Sequence, residues 1–401
     1  MLINEKTRDF IRQHENDDVR KLALQGTKDS EVDLMVVLQQ IAGRQTARRK
    51  LPSWAAVEEV FYPPHLNMEQ CSSEQTARYK ACLLKGGQRY VDLTGGFGVD
   101  FYWMSQVFQH RFYIERDEAL CTIAEHNFEA LGLRCSVCCC DTAIYLAEME
   151  HADVVFLDPA RRNEHGARTF GIEDCTPNVL ELLPLLRMKA DTVVLKLSPM
   201  LDWRKAVSDL QCVSEVHIVS VDNECKELLL ILKNEQRENL RLVCVNNDSV
   251  FEIVRPLRTV SPNGSDYESA PHGLKMPPSD AHLYLYEPNA SIMKAGCFEA
   301  LEERFPVSQV SPNSHLFLSD KEISHFPGRG FLILSTSSMN KKELKSALAT
   351  ISQANIAVRN FPLSAQQLRQ KLKIKDGGDT YIFATTTVEG GHQLFICRKI
   401  G

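Results

Sequence analysis

Between residues 88 and 200 five short apolar runs recur with helical patterns between them. They are RYVDL (89–93), RFYIE (111–115), RCSVCCC (134–140), DVVFLD (153–158) and DTVVLKL (191–197). Strands that are apolar along most of their length need cover on both faces, and crossover helices supply it in a parallel sheet. EALCTIAEHNFEALG (118–132) has the spacing for one such helix. PNVLELLPLLRM (177–188) is another, with Thr176 as its cap and Pro177 in its first turn. Further on, VHIVSVDNECKELLLILK (216–233) predicts two strands around a tight Asp222-Asn223 turn, an antiparallel pair appended to a parallel sheet. The alternation therefore predicts an α/β domain over residues 86–260.

The flanks differ. Residues 1–85 predict a helical region. VDLMVVLQQIAG (32–43) has apolar residues at helical spacing, and CSSEQTARYKACLL (71–84) carries a capping signature, Ser72 followed by Gln75. Arg44, Arg48, Arg49 and Lys50 form a basic cluster between them, open to use as a solvated face or as a ligand site. Residues 261–280, rich in Pro, Gly and Ser without periodicity, predict a linker. A second α/β unit follows. HLYLYEP (282–288) predicts a strand, NASIMKAGCFEALEERF (289–305) a helix and FLILST (331–336) a strand; helix, strand, helix, strand and strand then run to residue 400.

Composition narrows the class. The 401 residues are 44% hydrophobic and 24% charged with a net charge of −6, which excludes a basic nucleic-acid coat. The start, MLINEKTRDF, is polar, and the longest aliphatic run, LLLIL (228–232), is far too short to span a bilayer, so a cytoplasmic protein without a membrane segment is expected. Cys135 and Cys138 make one C-x-x-C among 13 cysteines, but no second pair follows at metal-site spacing. Reduced, mostly buried thiols are expected, and no metal site.

YVDLTGGFGVD (90–100) is the strongest local signal. A strand ends in Asp92, and Gly95, Gly96 and Gly98 then open a helix. Such glycines let a ligand lie against the backbone, and in open parallel sheets nucleotides bind at strand carboxyl ends. A dinucleotide fingerprint would space its glycines G-x-G-x-x-G and put a pyrophosphate on the helix N-terminus. A carboxylate at Asp92 would repel a pyrophosphate but hold a cationic amino-acid moiety. That favours S-adenosylmethionine over a nicotinamide cofactor. Glu115 closes the next strand where an acid can accept both ribose hydroxyls, and Asp117 fits better as a helix cap. Asp141 follows the third strand where a carboxylate can meet an adenine amino group.

These segments resemble the class I S-adenosylmethionine-dependent methyltransferases, and more narrowly the bacterial ones with a C-terminal THUMP-like domain. SSEQTARYKA (72–81), VDLTGGFGVD (91–100), YIERD (113–117), VVFLDPARRN (154–163), VVLKLSPMLD (193–202), YLYEPNASIMKAG (284–296) and VRNFPLSAQQLRQKLKIKDGGD (358–379) carry the resemblance. It implies a Rossmann-like seven-stranded methyltransferase domain (86–260) after the helical region. Beyond the linker it implies a C-terminal α+β region, a ferredoxin-like segment (281–335) and a THUMP-like domain (336–401). The family's glycine loop has Gly where Thr94 stands, a small departure.

The resemblance also sets Asp158, at the end of the fourth strand, beside the transferred methyl group. Related base-amine methyltransferases follow this acid with Pro-Pro and an aromatic; there the acid and the prolyl carbonyl hold an exocyclic amine. Here Asp158 and Pro159 are followed by Ala160 and Arg161, so the stacking ring is missing. Enzymes that methylate uracil carbon use a later cysteine, and residues 193–202 hold Lys196, Ser198 and Pro199 but no cysteine. Lys196 is a candidate to orient the acceptor or to pair with Asp158; an internal structural salt bridge is the other reading. Arg161, Arg162 and Arg168 are candidate phosphate or carboxylate holders, or plain surface arginines. From Met339 onward ten Lys/Arg face four acids, and Lys371, Lys373 and Lys375 alternate before a glycine turn, ready for a phosphate backbone if extended. A methyltransferase of structured RNA is expected. A methyltransferase for a protein or small molecule, or a catalytically degenerate RNA-binding module, are the alternatives.

Overall fold

The structure, a computed structural model, describes residues 3–161, 171–235, 238–257, 260 and 283–400. The expected linker, 261–280, lies outside the described residues. The chain divides into two compact units, Met1–Glu215 with Leu229–Arg237, and Val216–Leu228 with Glu238–Gly401. No helix among the described residues is long and apolar enough to cross a membrane.

The strands are β1 (Gly87–Asp92), β2 (Phe108–Glu115), β3 (Ser136–Cys139), β4 (Ala152–Leu157), β5 (Ala160–Arg161), β6 (Cys175–Thr176), β7 (Ala190–Leu197), β8 (Val213–Val221), β9 (Glu224–Lys233), β10 (Asn239–Asn246) and β11 (Ser249–Pro256). Nine of them form one sheet in the order β11-β10-β8-β9-β7-β4-β1-β2-β3, while β5 and β6 pair separately. All five apolar runs are strands, and β1 to β4 with β7 pair in parallel. Asp222 and Asn223 both take positive φ, 52° and 63°, the geometry a two-residue hairpin turn requires. The seven expected strands are thus present. The antiparallel pair β10–β11, turning at Asn247 (φ 52°), extends them to nine.

Helical caps correct two expectations. Ser73, not Ser72, caps Glu74–Cys82 by accepting the Thr76 amide. Asn178, not Thr176, caps Val179–Lys189, and Pro177 lies ahead of the helix. Asp117 caps Glu118–Ala130 as expected. In the N-terminal region the basic cluster is largely tied internally. Arg44 donates to the Glu58 carbonyl, Arg48 pairs with Glu15, and Lys50 donates to the Met68 and Glu69 carbonyls. Asn127 fastens this region to the sheet's helical layer through two buried hydrogen bonds with the Phe61 backbone.

Under the first helix after β1 lies an aromatic core. Phe101, Tyr113 and Phe128 are all buried, with ring centroids 5.0–5.5 Å apart. Each such side chain contributes about 1.5–3 kcal/mol through burial, and together they form a stiff floor beneath the glycine turn.

The second unit builds a seven-stranded sheet from β12 (Tyr284–Pro288), β13 (Ser308–Gln309), β14 (Phe317–Ser319), β15 (Gly328–Ser338), β16 (Asn355–Arg359), β17 (Thr380–Thr386) and β18 (His392–Ile400). Their order is β13-β14-β12-β15-β18-β17-β16. The sheet curls, because Arg359 on β16 reaches Glu287 on β12 at 2.7 Å and Ser311 donates to the Thr386 carbonyl. The single helix expected over 289–305 is two, Ala290–Ala295 and Glu299–Arg304, broken where Gly296 turns left-handed (φ 70°).

Candidate active site

Strand order reverses between β1 and β4, and at such a point the carboxyl ends of parallel strands splay to leave a crevice. Asp92 ends β1, Glu115 ends β2, Asp141 follows β3, Asp158 follows β4 and Lys196 stands next to last in β7. All five lie in the first unit.

The turn after β1 is held from below. The Gly95 amide donates to the Ile114 carbonyl, and the Tyr113 hydroxyl donates to the Gly96 carbonyl at 2.5 Å. A Cβ at Gly95 would sit 2.1 Å from the Tyr113 ring, and one at Gly98 would sit 2.6 Å from Phe128. Gly98 also has φ +87°. The aromatic floor therefore dictates the glycines, and the turn lies close enough to it for a ligand to rest on bare backbone.

Asp92 is 1% exposed. Its Oδ1 accepts the Thr94 amide, and its Oδ2 is buried with no partner among the described residues. Burial holds its carboxyl well above the ordinary range, and the neighbouring acids Asp100, Asp158 and Glu115 push the same way. Glu115 accepts the Gly96 amide on Oε2 and the Arg116 and Asp117 amides on Oε1. Asp141 is exposed and caps Thr142–Glu148 through Oδ1. The Thr94 hydroxyl accepts the Asp158 amide at 2.6 Å. The departure from glycine thus clamps the end of β4 to the turn after β1.

Asp158 belongs to a chain of alternating charges. Lys196 Nζ stands 2.6 Å from Asp158 Oδ2 and 3.4 Å from Asp100 Oδ2. Asp100 Oδ2 also accepts the Ser72 hydroxyl, and Lys80 Nζ lies 3.1 Å from Asp100 Oδ1 and donates to Ser72. The Lys80 side chain is fully buried, and those of Asp100 and Lys196 are each 10% exposed. Burial pushes the Asp100 carboxyl up, but Lys80, Lys196 and Ser72 outweigh it and leave it below the ordinary range. For Asp158 burial wins over Lys196 and the carboxyl is raised. Its side chain is nevertheless 38% exposed, and the water that exposure admits limits the rise. Pro159 is buried.

The sequence did not single out Ser72, Lys80 or Asp100 as site residues. A signal for Lys80 existed: it falls three and four residues after Ala77 and Thr76, on the buried stripe of its helix. Asp100 sits in a first helical turn and looks like an ordinary N-terminal acid.

The expected anion holders divide. Arg161 pairs through its backbone in β5 with Cys175, while Arg162 and Arg168 lie outside the described residues. In the second unit Lys371, Lys373 and Lys375 are exposed but not extended. Lys371 is in the last turn of Ala365–Leu372, Lys373 is its left-handed C-cap, and Lys375 follows at a bridge to Gln353. The alternation expected of a strand is therefore absent, because a capping box at Ser364 and Gln367 starts a helix there.

Models of known families match the second unit: a ferredoxin-like domain over 284–327 and a THUMP domain-like module over 328–399. The crystal structure of a candidate methyltransferase from Porphyromonas gingivalis W83 superposes over 100% of both chains, with a TM-score of 0.83 and 30% identity. Uncharacterized S-adenosylmethionine-dependent methyltransferases from two Mycobacterium tuberculosis strains, CDC 1551 / Oshkosh and H37Rv, are 23% identical over 337 residues, 82% of this chain and 87% of theirs. With the parallel sheet and glycine turn described above, full-length likeness at this identity fixes the family: the chain belongs to the class I S-adenosylmethionine-dependent methyltransferases with a C-terminal THUMP-like domain.

Proposed function

We propose that this protein transfers a methyl group from S-adenosylmethionine to a structured RNA in the cytoplasm. The residues fit that cofactor on two observations. The cradle has no room for a Cβ at Gly95 or Gly98, and Asp92 keeps a buried oxygen without a partner among the described residues, suited to a cationic amino-acid end. In this reading Asp92 and the Thr94, Gly95, Gly96 and Gly98 turn hold the methionine moiety, Glu115 the ribose and Asp141 the adenine edge. Asp141 would keep Oδ1 on the backbone and turn Oδ2 to the ligand, whereas Glu115, with backbone amides on both oxygens, would receive the ribose hydroxyls on its remaining lone pairs.

When bound, S-adenosylmethionine supplies an electrophilic methyl on a sulfonium. The protein's work is then to place a nucleophile in line with it, and positioning of that kind can lower a barrier by several kcal/mol, up to about 7–11. Asp158 orients the acceptor and takes its proton late, Lys196 fixes the carboxylate through Oδ2, and the Pro159 carbonyl holds the acceptor's second hydrogen. The single observation that carries the proposal is Asp158 held by Lys196 at 2.6 Å and by Thr94 at its amide, one strand from Asp92. For RNA the support is the THUMP-like match together with exposed Lys341, Lys342, Lys345, Lys371, Lys373, Lys375, Arg398 and Lys399 in the same unit. Arg161, Arg162 and Arg168 are assigned to phosphate.

Tritium transfer from labelled S-adenosylmethionine to total RNA of a deletion strain, against protein extract, tests this. Counts in RNA, lost in Asp158→Ala, are expected. Counts confined to protein or to small molecules would overturn the RNA acceptor, and full activity of the variant would remove the role of Asp158.

A further inference from the structure

The chain of charges reaches from Asp158 back to the Glu74–Cys82 helix, and that reach is more than an isolated ion pair needs. We infer that Lys80 and Asp100 are positioning residues for methyl transfer, setting through Lys196 how firmly Asp158 is held for the acceptor. The inference rests on the methyltransferase reading of Asp158.

Lys196 lies between two carboxylates, 2.6 Å from Asp158 and 3.4 Å from Asp100, so its ammonium is shared. Lys80 decides the division. With its own ammonium 3.1 Å from Asp100 Oδ1, it neutralises that carboxylate and leaves Lys196 to the nearer one. Without Lys80, Asp100 would draw Lys196 back, and Asp158 would lose its cation where water screens it only partly. Ser72 adds a hydroxyl that donates to Asp100 and accepts from Lys80, fixing both ends of that contact. Removing Asp100 acts with the opposite sign, because Lys196 is then left wholly to Asp158. Among the described residues, the charged or titratable groups that bear on this chain include Lys80, Asp100, Lys196, Asp92, the Cys71 thiol and the Tyr90 hydroxyl.

The opposite signs make the test. In full-length protein labelled with ¹³C at aspartate carboxyls, the Asp158 resonance is identified by its loss in Asp158→Asn and followed through a pH titration. Its midpoint is expected to move up in Lys80→Met, to return in Lys80→Arg, and to move down in Asp100→Asn. Shifts of the same sign in Lys80→Met and Asp100→Asn, or none in a folded variant, would overturn the inference. Should Lys80→Met fail to fold, the downward shift in Asp100→Asn still decides it. Calorimetric uptake of S-adenosylhomocysteine by the unsubstituted protein is the separate control. If it is absent the methyltransferase reading of the site fails, whatever the titration gives.

Discussion

Thr94→Val isolates one hydrogen bond at the centre of the site. The Thr94 hydroxyl accepts the half-buried Asp158 amide at 2.6 Å, and valine keeps the shape while removing the acceptor. An amide left without a partner costs about 1–3 kcal/mol. Thr94→Ser keeps the oxygen and loses one methyl, a change of about 0.8 kcal/mol at most. All three tryptophans, Trp54, Trp103 and Trp203, belong to the first unit, so their fluorescence reports its unfolding apart from the second. With a urea slope of roughly 2–3 kcal/mol per molar, the valine variant is expected to unfold about 0.3–1.5 M earlier. Methyl transfer should fall further than stability alone predicts, since the freed amide lets the end of β4 drift from the turn after β1. Equal midpoints for the valine and serine variants would refute the reasoning.

Gly95→Ala puts a methyl 2.1 Å from the Tyr113 ring, so ring or turn must move; a loss of about 1–3 kcal/mol and of S-adenosylhomocysteine binding by calorimetry is expected. Asp92 has a folded-state pKa raised chiefly by burial, so its contribution to stability is full below pH 4 and is lost as pH rises through the folded value. Asp92→Asn keeps the Thr94 contact without the charge, and melts from pH 4 to 8 should show it gaining on the unsubstituted protein as pH rises. In the second unit, Glu287 is 4% exposed between Arg329 and Arg359, whose side chains are 43% and 38% exposed. Removing both arginines strands a buried acid and should cost about 3–5 kcal/mol, whereas Glu287→Gln frees arginines that water can take up and should cost less, as hydrogen exchange in β12 would report.

The parallel sheet was legible because apolar runs with helical punctuation admit few alternatives, and Asp92 with its glycines marked the turn. The pair β10–β11 also has its sequence signal, since NLRLVCVN and SVFEIVRP flank Asn247-Asp248, a turn signal as good as Asp222-Asn223. Strands β13 and β14, two and three residues long, are too short to show a period. The cap is ambiguous by one residue in the sequence because Ser72 and Ser73 offer the same chemistry, and only the tertiary pull of Asp100 separates them. Lys80 is obscure in the sequence for a related reason. A lysine in a helix is read as surface unless the partner that compensates it, here Asp100, is known to lie opposite.

Burial of Lys80, Asp100 and Lys196 has to be accounted for on its own terms. Taking such groups from water costs several kcal/mol per ion, and apolar side chains of similar volume are often as stabilising or more so. Stability thus gives no reason to run two lysines and an aspartate through the first unit. Nor does anchoring the Glu74–Cys82 helix, because Glu74 already fastens its start to the Ser53 amide and hydroxyl, and Ala77 and Thr76 bury its face. Asp158, whose carboxyl is raised by burial against the pull of Lys196, does give a reason. Its neighbours Asp92 and Asp100 both oppose its charge, and a single lysine shared with Asp100 would serve it poorly. A second lysine behind Asp100 corrects that balance from the buried side, and in the proposed methyl transfer this leaves the exposed side of Asp158 to the acceptor.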